Sequence, residues 1–213
     1  MHTGTKGGAL VAAGIEKLNW GRLDEALRLF RKAETLPRLT VEQTAGLMYG
    51  IGRCLRLTNK LEESVTYLDE AADNAAFLED RLLQAKVACE LAAVSIMVGI
   101  KTLNNEYTDQ SQCLENFEDA QQSLDEATKF FEMMLAEAHT KAPLTLEGAD
   151  AIIAQKALGE SYQGLLLWAR GLKEEGRAFM NAAHAKLDKM PRHNHAYIAE
   201  SRFNASKVTM ASV

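Results

Sequence analysis

The chain has 213 residues, a formal net charge of −5 at pH 7 and a sequence pI near 5.6, with only three prolines, Pro37, Pro143 and Pro191. An acidic balance argues against a surface made for phosphate backbones, which needs concentrated basic charge. Heavy use of Ala, Leu, Glu and Lys favours long helices, and no run alternates as a strand would.

Residues 1–7 read as a flexible leader. Apolar Gly7 to Ile15 runs directly into Glu16 and Lys17, so it does not read as a secretory signal. The first hairpin spans about 8–36: one helix over 8–19, a turn at Gly21, and a second helix ended by Pro37. In that second helix Leu23, Ala26, Leu27, Phe30 and Ala33 form an apolar stripe, while Asp24, Glu25, Arg28, Arg31 and Lys32 fill the other face. The second hairpin, about 40–76, opens on Thr40 and Gln43, spaced for a capping box, and Thr58 and Asn59 with Glu62 predict another inside it.

An elongated hairpin is expected over 77–139. Helical spacing continues through Ala85, Cys89, Ala92, Ile96 and Ile100, a polar loop is expected over 104–112, and a long helix runs from Leu114 to about Ala138. Its most apolar stretch, Leu91 to Ile100, is about half a membrane span and reads as a core helix. The fourth hairpin covers about 145–190, joined at Gly171 and closed by Pro191, and 194–208 reads as a capping helix before a frayed tail at 209–213.

Small and large residues recur at fixed spacing. Gly14, Gly21, Leu23, Ala26, Phe30 and Ala33 return 38 positions on (14 to 52, 30 to 68) as Gly52, Asn59, Leu61, Ser64, Leu68 and Ala71. Partial copies follow at Phe117, Ala120, Leu124 and Ala127, and at Gly164, Gly171, Gly176, Met180 and Ala183. Small residues at such points let two helix axes approach to about 8 Å.

At these residues the chain resembles the tetratricopeptide repeat (TPR) family. The resemblance implies an all-α, right-handed TPR-like solenoid of about four helical hairpins plus a C-terminal capping helix. It also implies a non-enzymatic scaffold that binds a peptide or partner helix in a concave groove. Val11 and Ile15 stand where the family's carboxylate clamp has Lys and Asn, so chaperone-tail binding is not implied.

No catalytic residue, cofactor or metal site is expected. His193 and His195 flank one residue but lack local third and fourth ligands. Gly50-Ile51-Gly52 lies in a helical pattern with no strand before it, which favours packing over dinucleotide binding. Cys54, Cys89 and Cys113 form no Cys-x-x-Cys pair, which fits a reducing, cytoplasmic setting.

The remaining candidates are first-helix residues expected to face the inside of the superhelix. Ile15 and Leu18 share one line with Val11, Leu165 and Trp168 share one with Ser161, and Tyr49, Arg53 and Arg56 form a third. The last is expected to grip a carboxylate-bearing peptide; its alternative role is to pair with acids of the next hairpin. The expected partner is a protein or peptide, without nucleic acid or a membrane span. Two rival readings are a structural subunit of a homo-oligomer with the apolar face buried, and a helical-bundle ligand-binding protein or enzyme.

Overall fold

The computed structural model describes residues 6–104, 110–140 and 146–190, and beyond them 197, 199–202 and 204. All regular structure among the described residues is helical: α1 (Lys6–Asn19), α2 (Leu23–Glu34), α3 (Val41–Leu57), α4 (Leu61–Phe77), α5 (Arg81–Leu103), α6 (Gln110–Thr140), α7 (Leu146–Ala169) and α8 (Lys173–Leu187). Residues 197, 199–202 and 204 are helical as well.

Consecutive helices pack as antiparallel pairs. Gly7 at the start of α1 lies against Leu36 just beyond α2, while Gly14 faces Phe30. In the third pair Arg81 meets Glu137 at one end and the Cys113 thiol lies 3.4 Å from the Gly99 carbonyl at the other. Each pair closes on a glycine of its first helix and a large residue of its second. A methyl group added at Gly14 would lie 2.4 Å from Phe30, at Gly52 2.8 Å from Leu68, at Gly99 2.5 Å from Phe117 and at Gly164 2.8 Å from Met180.

Three of the four pairs share one turn. Gly21, Asn59 and Gly171 have φ of 71°, 66° and 91°, the left-handed conformation that ends a helix without steric cost for Gly and at low cost for Asn. The same two backbone bonds fold back in each, as in Arg22 N to Lys17 O at 2.9 Å and Gly21 N to Leu18 O at 2.9 Å. Asn59 therefore occupies the place of Gly21 in the 38-residue recurrence.

The pairs also stack on one another. Phe30 of α2 is wedged between Gly14 of α1 and Gly50 of α3, where a methyl group would come within 2.3 Å of its ring. Phe131 of α6 reaches Gly159 of α7. Buried apolar residues accordingly form clusters passed along the stack, one joining α1 to α3, one joining α3 to α5, and one joining α5 to α8.

The boundaries depart from expectation at two informative places. Helix α1 begins at Lys6, and Gly7 is buried against Leu39, so these two residues belong to the fold rather than to a leader. Thr58 does not cap α4: its hydroxyl donates to the Cys54 carbonyl at 2.9 Å, while the cap residue Lys60 makes no side-chain bond. The reason is the left-handed Asn59, which makes Thr58 the C-cap of α3. At Thr40 the expected box is complete, with Gln43 N donating to Thr40 Oγ1 and Gln43 Oε1 accepting from Thr40 N. Residues 1–5, the middle of the 104–112 loop, His193, His195 and the 209–213 tail lie outside the described residues.

Candidate functional site

Helix α3 starts exposed at Val41 and is buried on every side in its C-terminal half. From Gly50 to Arg56 no residue is exposed, because α2 covers Gly50, α4 covers Gly52, and the remaining side carries the two arginines. Arg53 and Arg56, three residues apart on one helix face, point toward α5, α7 and the C-terminal helical segment. There they meet Glu90 of α5 and Glu200 of that segment, and all four are sealed from water, with exposures of 1%, 4%, 0% and 7%.

The four side chains form a closed ring in which each carboxylate bridges both guanidiniums. Arg53 Nη1 donates to Glu90 Oε1, and its Nη2 donates to Glu200 Oε2 at 2.7 Å. Arg56 Nε donates to Glu90 Oε2 at 2.5 Å, and its Nη2 to Glu200 Oε1 at 2.6 Å. Three tyrosines enclose it. Tyr49 Oη accepts from Arg53 at 3.4 Å, Tyr162 Oη accepts from Arg56 at 3.0 Å and donates to Glu200, and the Tyr197 ring centre lies 4.9 Å from the Arg53 guanidinium carbon.

Two positive and two negative charges cancel, which is what makes burial tolerable; an isolated ion in such a place would cost several kcal/mol. Burial alone would push the Glu200 carboxyl up, but Arg56 and Arg53, with the Tyr162 hydrogen bond, hold it below the usual glutamate range. For Arg53 and Arg56 burial acts to lower the value, and the two carboxylates more than reverse it. Burial raises all three tyrosines, and it pushes the neighbouring Cys54 and Cys89 thiols up to about 12. These groups are locked in their ordinary protonation states at neutral pH, the opposite of the poise that acid–base catalysis needs.

The placement corrects the expectation of an open line at Tyr49, Arg53 and Arg56. Glu90 and Glu200 already fill the positions that a partner's carboxylates would take, so the pairing with acids of the same chain is the arrangement found. The apolar lines are closed as well. Ile15 packs with Val11 against Gly46 of α3, and Leu18 is buried in the first cluster. Leu165 is buried in the cluster of the third and fourth pairs, Trp168 packs partly buried against it beside Gly176, and Ser161 accepts from Asn204 at 3.5 Å.

Comparison with protein-family models, with curated proteins and with solved structures returned no match. Among the described residues no group of three or more His, Cys, Asp or Glu is placed to hold a metal ion. Open clefts of about 670 Å³ and 650 Å³ lie along α6 near Arg170, away from the ring, and are lined by Glu118, Asp125 and Phe130 in the first and by Leu103, Leu114 and Phe117 in the second. Helix α5 as a whole is long and apolar enough to cross a membrane by length and composition, although its most apolar stretch alone is not. In the fold it is packed among α3, α4, α6 and α7, with buried Glu90 near its middle.

Sequence reading missed Glu90, Tyr162, Tyr197 and Glu200. Glu90 left a signal: it is the one acid in the apolar stretch Val87 to Ile100, as Arg53 and Arg56 are the only charges between Gly46 and Leu57. Lone buried charges on two apolar helices require one another. Glu200, in a polar tail, left none.

Proposed function

We propose that the chain is a non-enzymatic protein-interaction scaffold, a right-handed TPR-like solenoid whose inner face holds the helix of a partner. The observation that carries this reading is that the side of α3 bearing Arg53 and Arg56 already holds a helical segment of the same chain. The described residues of the C-terminal segment, 197, 199–202 and 204, lie against α3, α7 and the end of α8: Glu200 reaches Arg53, Arg56 and Tyr162, Asn204 meets Ser161, and Tyr197 packs with Leu187. The shared turns at Gly21, Asn59 and Gly171 and the recurring glycine-to-large-residue contact support the TPR-like reading, since both repeat with the hairpins. The locked protonation of the buried groups supports a binding role over catalysis.

The test is structural. A partner captured by the full chain and then purified should perturb the nuclear magnetic resonance signals of Tyr49, Tyr162 and Tyr197 and of their neighbours on α3, α5 and α7. Perturbations confined to α2, α4 and α6 would refute an inner-face scaffold.

A further inference from the structure

We propose that the C-terminal helical segment carrying Tyr197 and Glu200 is a built-in competitor, occupying the seat of a partner helix that carries a carboxylate with an aromatic ring three positions before it. This rests on the scaffold reading and names the partner's chemistry. Tyr197 and Glu200 have that spacing, which places both on one helix face, and they engage Arg53 by ring and by charge together. The seat itself demands an anion. Without Glu200, Glu90 would balance one of two buried guanidiniums, leaving a positive charge enclosed by tyrosines and apolar walls. A neutral or basic helix would leave that charge unanswered, so the seat selects an acidic one.

The fit of the resident helix is good at the charges and poor around them. The Ser201 hydroxyl of the segment is buried without a hydrogen bond. The Asn204 to Ser161 contact is at the limit of a hydrogen bond, at 3.5 Å. By contrast, the serine inside the second hairpin is fully satisfied, Ser64 Oγ donating to the Gly52 carbonyl at 2.8 Å. Buried polar atoms left unpaired weaken the hold of the resident segment without touching the specificity of its charge contact. On its outer side the segment is anchored by Arg202 to Asp188 at 3.1 Å, a surface pair that contributes little. A partner helix that reproduces the carboxylate and satisfies the polar rim displaces it.

The experiment uses the full chain and, as probe, a fluorescein-labelled synthetic peptide of this chain's own residues 194–208. The Glu200→Gln chain, whose resident helix has lost its charge, should bind the peptide at least 10-fold tighter than the native chain does. A peptide carrying Glu200→Gln should bind that same variant at least 10-fold more weakly. Equal affinity of the two chains for the peptide overturns the proposal. A second measurement needs no variant: in native-state hydrogen exchange, amides of 199–202 should exchange at least 100-fold faster than those of Gly50 to Arg56. Exchange of both sets at one common rate would make the segment an inseparable part of the core, overturning self-occupancy while leaving the scaffold reading intact. Loss of the scaffold reading would show instead as partner perturbations confined to the outer helices.

Discussion

The first hairpin and the charged ring solve the same problem, holding helices close together, by opposite means. In the first hairpin Phe30 fills the space left by Gly14 and Gly50, with Ala26 and Ala33 fully buried beside it. Its contacts are non-directional, and much of the burial survives a small shift in register. In the ring every contact is directional, and removing one member leaves another uncompensated in a dry interior. Apolar packing holds neighbours together, whereas the ring specifies which distant elements meet: α3, α5, α7 and the C-terminal segment.

Breaking the ring should therefore have the largest effect. Glu90→Ala is expected to cost about 3–5 kcal/mol, because it strands two buried guanidiniums on the remaining carboxylate. Urea denaturation measures this; a cost below that of a single surface substitution would mean that the ring is open to water. The comparison is sharpened by Glu90→Leu combined with Arg53→Met, Arg56→Leu and Glu200→Leu. Removing all four charges should cost much less than removing one.

Disturbing the first hairpin comes next. Ala26 is fully buried on α2, where extra methylenes cannot be accommodated without moving a helix, so Ala26→Leu should cost roughly 1–3 kcal/mol in a thermal melt. An unchanged melting temperature would show that α1 and α2 can separate freely, and the contrast between the two regions would collapse. Thr40→Ala removes the accepting hydroxyl of the complete capping box and should cost about 1 kcal/mol, a local loss with no long-range component.

The smallest effect is a slope. Glu200 is held below the usual glutamate range, so on acidification the unfolded chain binds its proton first. Its contribution is present above the ordinary value of about 4.3 and is lost as pH falls through the lower folded value. Stability measured in urea from pH 6 to pH 3 should fall less steeply for Glu200→Gln than for the native chain. Parallel curves would show that Glu200 titrates alike in the folded and unfolded states.

The sequence by itself determined the helices, their pairing and the turns between them. The 38-residue recurrence, Thr40 with Gln43, and the breaks at Gly21 and Gly171 all encode local physics: amphipathic period, cap chemistry and permitted backbone angles. Thr58 was misleading because two local signals compete there, a hydroxyl suited to starting a helix and an Asn suited to ending one, and the left-handed Asn59 prevails. The site was legible only in part. Tyr49, Arg53 and Arg56 stood out as charge and aromaticity on one helix face, but whether that face was open depended on Glu90, 34 residues from Arg56, and on Glu200, 144 residues from it. Periodicity carries no information over such separations. Only the tertiary structure decided that the two arginines face inward to two carboxylates, because two positive charges cannot be buried until their counter-charges arrive from elsewhere in the chain.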